Sequence, residues 1–259
     1  MIVLLTDFGI NDYFVGAMKG AILSINKRAN IIDITHQIPP QDIWSASFTL
    51  RACYQDFPKK TIFVAVVDPG VGSHRKAILC ETEDYYFIAP DNGLLSFIFD
   101  KTTDFRVYEI KNEKFFKHPV SRTFHGRDIF APVAAHLSKG VEPNEFGNKI
   151  QDFVRFAENK PRKISDKEIE AEIIHIDRFG NLITSLTQTD LPESFTLKIN
   201  GKKISKLQNF FAEAEKGELF MILGSAGFLE IVAFQDSAAR LLKVKRGQRV
   251  ILKKVNRRK

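Results

Sequence analysis

"TIFVAVVDPGVGSHR", residues 61–75, decides the fold. The apolar and β-branched run from Ile62 to Val67 ends abruptly at Asp-Pro-Gly, the pattern of a strand covered on both faces. A G-x-G follows at 70–72, and then "AILCET", 77–82, is extended again. A dinucleotide fingerprint needs a third glycine where Arg75 stands and a helix where "AILCET" stands, and a Walker phosphate loop needs G-K followed by Ser or Thr. The loop is neither. It places Asp68 at the carboxyl end of a strand, where open α/β sheets bind their ligands. Gly70 and Gly72 permit a tight turn that folds Arg75 back toward Asp68, a pairing that keeps the carboxylate ionised. A plain Asp-Pro-Gly turn with a surface arginine is the alternative.

Outward from this strand, "MIVLLT" (1–6) and "NIIDIT" (30–35) also read as buried strands. "DYFVGAMKGAILSI" (12–25) and "QDIWSASFTLRACY" (41–54) read as the amphipathic helices between them. Asn11 or Asp12 is positioned to cap the first helix, and "PPQD" breaks the chain before the second. Crossovers of this length join parallel strands, so residues 1–150 are expected to form an α/β domain with a doubly wound sheet. "AILCET" and "YYFIAP" (85–90) flank a turn at Glu83 and Asp84 and read as a hairpin, which makes the sheet mixed but mostly parallel. A helix at "DIFAPVAAHLSKG" (128–140) closes this half. Residues 151–168 are polar, contain a proline and read as a linker. From 169 to 259 short alternating runs recur, among them "EIIHID", "NLITSL", "FTLKIN", "LFMIL" and "FLEIVAF". They suggest a smaller antiparallel barrel-like or sandwich domain.

The chain has 259 residues, 44% of them hydrophobic, and a formal net charge of +7. Nine of its basic residues and no acid fall in "KVKRGQRVILKKVNRRK", 243–259, so the remainder is near neutral. Without interleaved aromatics or a recognisable binding module, this segment reads as a solvated strand and tail, not as a nucleic-acid site. "MIVLL" reaches Asp7 too soon for a signal peptide, and no apolar stretch is long enough to span a membrane. Cys53 and Cys80 lack C-x-x-C spacing and suit a reducing, cytoplasmic setting.

Asp7 and Gly9 in "LLTDFG" repeat the strand-end carboxylate; a turn or helix cap explains them, but so does recognition of paired ribose hydroxyls. "TFHGRDIFAPVAAHL" brings His125, Arg127 and Asp128 into a glycine-containing loop entering a helix, with Asp128 read as a helix cap or partner of Arg127. His36, His118, His136 and His175 read as structural. The six histidines are scattered, no H-x-x-x-H occurs, and a metal site is not expected. No G-x-S-x-G elbow or activated cysteine appears, so covalent catalysis is not expected. Asp68, Arg75 and His125 are left as a set suited to orienting a small molecule such as water.

"TDFG", "VVDPGVGSHR", "PDNGLL" (90–95), "TFHGRDIFAPVAAHL" and "IDRFGNLIT" (176–184), in this order across nearly the whole chain, resemble the S-adenosylmethionine hydrolases, also called S-adenosylmethionine hydroxide adenosyltransferases, relatives of the fluorinases and chlorinases. The resemblance implies attack of a water-derived nucleophile at C5′ of S-adenosylmethionine, releasing adenosine and methionine without a cofactor. The sulfonium leaves as a neutral thioether, so the leaving group needs neither protonation nor a metal. The resemblance makes Asp68, Arg75 and His125 the water-directing triad, with Asp68 and His125 accepting the water's hydrogens. It assigns Asp7 to ribose, Asp177 to the methionine amine and Asn181 to the adenine edge. Phe179 and Phe211 are placed around the adenine, Phe124 beside the ribose, and Ser225 on the methionine side, with Glu230 a further substrate-binding residue. The halogenases carry an arginine where this chain has Ala226, and tyrosines at the positions of Asp68 and His125. A halogenase and a non-catalytic nucleotide or nucleic-acid binder are the alternative readings. The family's assembly is a trimer with sites between the first domain of one subunit and the second domain of its neighbour.

Overall fold

A computed structural model describes residues 1–157 and 160–255, in two compact units, Met1–Ala157 and Glu158–Lys259. In the first unit β1 (Ile2–Thr6) and β3 (Ile62–Val66) are buried along their full lengths. β1 lies between β2 (Ile31–Thr35) and β3, parallel to both, and β3 pairs in parallel with β5 (Tyr86–Pro90). β4 (Ala77–Thr82) turns back antiparallel on β5, and β6 (Phe105–Glu109) and β7 (Lys149–Ile150) continue antiparallel. The sheet order is β2-β1-β3-β5-β4-β6-β7, the mixed sheet expected from sequence.

Both faces are covered, and the strand alternation sorts the core into two layers. Ile2, Leu4, Val64 and Val66 pack with Met18 and Ile22 of α1 (Phe14–Ile25) and with α4 (Ala131–Leu137). Val3, Leu5, Phe63 and Ala65 pack with Ala46 and Leu50 of α2 (Ile43–Cys53) and with α3 (Ser96–Lys101). Asp42 caps α2, its carboxylate accepting from Ser45 N at 3.0 Å.

Three local expectations fail. "NIIDIT" is the edge strand, with Ile32 and Asp33 exposed, because among the described residues no strand lies beyond β2. Neither Asn11 nor Asp12 caps α1; Tyr13 occupies the cap without a side-chain bond. The helix read at 128–140 begins as a widened π-type turn, Gly126–Phe130, before α4. Residues of the stretch read as a linker strap the first unit: Val154 N donates to Asp91 at 2.8 Å, Phe156 N to Ser96 Oγ at 2.8 Å, and the Phe156 ring stacks on Trp44 at 4.4 Å.

In the second unit β8 (Arg162–Lys163) pairs with β9 (Glu168–Ile176). The other strands are β10 (Leu182–Thr187), β11 (Phe195–Ile199), β12 (Lys202–Ile204), β13 (Leu219–Leu223), β14 (Phe228–Ala233) and β15 (Arg249–Lys254), with a short helix α5 (Ala238–Leu242). The sheet runs β12-β11-β15-β9-β10-β14-β13, antiparallel throughout. Its ends approach each other: beyond β12, Gln208 N donates to Met221 O at 3.0 Å and Met221 N to Lys206 O at 2.8 Å. This is a nearly closed barrel, with Leu186, Leu197, Ile231 and Leu252 inside.

Candidate functional site

The opening loop folds as its glycines suggested. Arg75 Nε reaches both carboxylate oxygens of Asp68, at 3.0 and 2.9 Å, and Nη2 reaches Oδ2 at 2.5 Å. The two side chains are only 10% and 5% exposed. The pair is therefore desolvated, the setting in which losing one partner strands an uncompensated charge. Gly72, at φ +77°, is the glycine the geometry demands: a Cβ there would come within 2.2 Å of the Arg122 carbonyl, in the segment leading to His125. From the other side Asn92 Nδ2 donates to Val67 O at 2.8 Å, tying the end of β5 to the residue before Asp68. Sequence reading gave Asn92 no role; an asparagine before glycine at a strand's carboxyl end is the signal that was available.

Arg75 Nη2 also lies 2.7 Å from His125 Nδ1. A guanidinium only donates, so Nδ1 accepts, and the neutral ring carries its proton on Nε2. Burial and the positive charge of Arg75 both lower the pKa of His125, which favours this neutral form. In this tautomer the other ring nitrogen, Nε2, is a donor, and a backbone hydrogen bond to Ser121 also acts on the ring. The neighbouring Asp128 is fully buried and accepts from Arg127 Nε at 2.6 Å and from Ser121 N at 2.9 Å, so it anchors the loop that presents His125.

Asp7 belongs to the same cluster, since Asp68 is among the charges that act on it. Burial raises its pKa, opposed by the Gln41 N–H that it accepts at 2.8 Å. The Asp7 loop is further held by Gly9 N donating to His36 O at 2.7 Å and Phe8 N to Thr6 Oγ1 at 3.2 Å. Phe124 is buried between Phe8 and Phe14, ring centroids 5.8 and 5.1 Å away, with Arg127 over its face.

The second unit holds its own group. Asp177 closes a turn on itself: Oδ1 accepts from Phe179 N and Asn181 N, and Oδ2 from Asn181 Nδ2, each at 2.9 Å. Gly180 packs against Ser237, whose Oγ would lie 2.0 Å from a Cβ. This arrangement buries Asn181 and throws Phe179 outward, 77% exposed. Phe211 is 41% exposed and stands edge-on to Phe220. Ser225 is exposed in the β13–β14 turn. Glu230, half-buried on β14, lies against Gly224, and burial with the nearby charge of Asp177 pushes its pKa up to about 7.

Among the described residues no group of three or more His, Cys, Asp or Glu could hold a metal ion, and no helix is long and apolar enough to cross a membrane. Cys53 and Cys80 are free, and burial raises both thiols, Cys53 to about 11, which leaves no thiolate near neutrality.

The sequence profile of the SAM hydroxide adenosyltransferase N-terminal domain matches residues 2–147, and that of the C-terminal domain matches residues 171–251. The chain belongs to the SAM hydroxide adenosyltransferase family. Within this family it is 38% identical to an (R)-S-adenosyl-L-methionine hydrolase of Methanocaldococcus jannaschii, over 94% of this chain and 92% of that protein. It is 31% identical to the enzyme of the same name from Thermus thermophilus, over 96% and 97%. A fluorinase of Actinoplanes is 29% identical over 75% of this chain and 74% of that protein. Among solved structures, an uncharacterized conserved protein from Thermotoga maritima superposes with a TM-score of 0.91 at 37% identity, covering 98% of this chain and 100% of that one. The match to the SAM hydroxide adenosyltransferase family thus reaches into both units.

Proposed function

We propose that this chain hydrolyses S-adenosyl-L-methionine to adenosine and L-methionine. The observation that carries the reading is the Asp68–Arg75–His125 arrangement, one guanidinium bonded to a buried carboxylate and to a neutral imidazole. Water oxygen attacks C5′, the C5′–S bond breaks with its electron pair moving to sulfur, and the water's proton passes to the Asp68 carboxylate. Arg75 holds that carboxylate in place and fixes the tautomer of His125, whose Nε2–H donates to the incoming oxygen. Asp7 takes the ribose hydroxyls and Phe124 backs the ribose. Asn181 reads the adenine edge between Phe179 and Phe211, while Asp177, Ser225 and Glu230 receive the methionine end.

A halide nucleophile fits less well, because a bare anion entering beside Asp68 meets a like charge in a desolvated setting. The reading extends to a homotrimer with sites between subunits, acting without a cofactor in the cytoplasm; two free thiols support the reducing compartment. The deciding experiment is incubation with S-adenosylmethionine in high chloride, followed by product identification. Adenosine and methionine are expected, and 5′-chloro-5′-deoxyadenosine as the main product overturns the reading. Light scattering tests the trimer, which a fully active monomer rules out.

A further inference from the structure

The excess positive charge lies entirely in the second unit. Met1–Ala157 carries 18 Lys and Arg against 18 Asp and Glu, whereas Glu158–Lys259 carries 20 against 13. Part of that excess converges on the outside of the barrel. A groove of about 590 Å³ is lined by Lys167, Lys198, Lys203, Lys253 and Lys254. Lys198 and Lys203 stand directly opposite each other across β11 and β12. Like charges in register across antiparallel strands are destabilising, and among the described residues neither has an ion-pair partner. Lys253 is paired with Glu168; Asp166 lies near Lys254 but is bonded to Lys163. Acids thus offset one edge of the groove and leave its centre uncompensated.

We propose that this groove binds the phosphate backbone of a nucleic-acid strand without reading its sequence. The lysines span β12, β11 and β15, neighbouring strands about 4.8 Å apart, so a ligand neutralising all of them carries several phosphates. The rest of the wall is Thr196 and Val255. Among the described residues it offers no ring for base stacking and no guanidinium fork for base edges, which restricts contact to phosphates. The absence of aromatics, which argues against base recognition, is what a backbone site requires.

The test is fluorescence anisotropy of the full chain with labelled 20-nucleotide oligo-dT and a mixed-sequence strand, titrated with salt. Both strands are expected to bind alike, with log Kobs falling against log[salt] with a slope of roughly −2 to −3 for four free lysines. Lys198→Glu/Lys203→Glu is expected to weaken binding at least about tenfold while turnover of S-adenosylmethionine and the melting temperature hold. Lys198→Gln/Lys203→Gln, which adds no new charge, gives a smaller loss in the same direction. No binding at 50 mM salt overturns the proposal. So does binding that survives both double variants, binding that follows base sequence, or capture of tripolyphosphate in place of the oligonucleotides.

Discussion

The two units hold their candidate residues in opposite ways. In the first, Asp68, Arg75 and His125 come from two separate loops, Arg75 is bonded to both of the others, and the Asp68 and Arg75 side chains are nearly closed off from water. In the second, Asp177 and Asn181 satisfy each other within one five-residue turn, and Phe179 within that turn stands in solvent. Groups that must handle a proton or a reacting oxygen gain from fixed geometry and low dielectric. A ring that stacks on a base needs only an exposed face. The first cluster has the build of reaction machinery and the second that of a binding surface.

The sharpest way to break this contrast is Asp68→Asn. It keeps the shape and removes the proton acceptor, so kcat is expected to fall by about 10²- to 10⁴-fold with KM little changed. A variant as fast as wild type ends the assignment. Phe179→Ala is the converse. A stacking contact of about 1–3 kcal/mol predicts a KM increase of roughly five- to 150-fold with kcat retained. Because the ring is 77% exposed, the melting temperature should not move. A loss of stability instead assigns the ring to packing.

A pH profile separates the units further. Folding lowers the pKa of His125, so its neutral form is complete above the ordinary value of about 6.5 and is lost as pH falls through the lowered one. Protonation removes the Nδ1 acceptor that Arg75 uses, and turnover should drop on that acid limb, at pH values below about 6.5. The smallest effect belongs to Glu230. Its pKa is raised from 4.5 to about 7, so the associated stability is intact below 4.5 and declines as pH rises toward 7. Glu230→Gln should raise the melting temperature by a few degrees at pH 8 and leave it unchanged at pH 4. An equal shift at both values rules out the carboxylate as the cause.

Much of this was legible in the residues. The β-branched runs gave β1 and β3, and the glycines at 70 and 72 correctly pointed to a return of Arg75 onto Asp68. Strand patterning cannot see position in the sheet, which is why "NIIDIT" read as buried while occupying the edge. Capping rules concern single side chains and missed a helix that starts at Tyr13 without one. The tautomer of His125 was beyond reach, because it depends on which nitrogen a residue 50 positions away approaches. Nor can composition tell a frayed basic tail from a groove. Lys198 and Lys203 are five residues apart in sequence, and only the β11–β12 register sets them face to face.

The strap at 152–156 bears on how the protein is cut apart. Phe156 covers Gly93, where a Cβ would meet its ring at 2.5 Å, and shields one face of Trp44, while Val154 supplies the N–H that Asp91 accepts. A fragment stopped at residue 150, where the last strand of the first sheet ends, would lose this clasp. It would leave an indole uncovered and a carboxylate without its amide. An excised first unit suited to crystallisation or labelling studies should run through Ala157, and the seven added residues should decide whether it stays in solution.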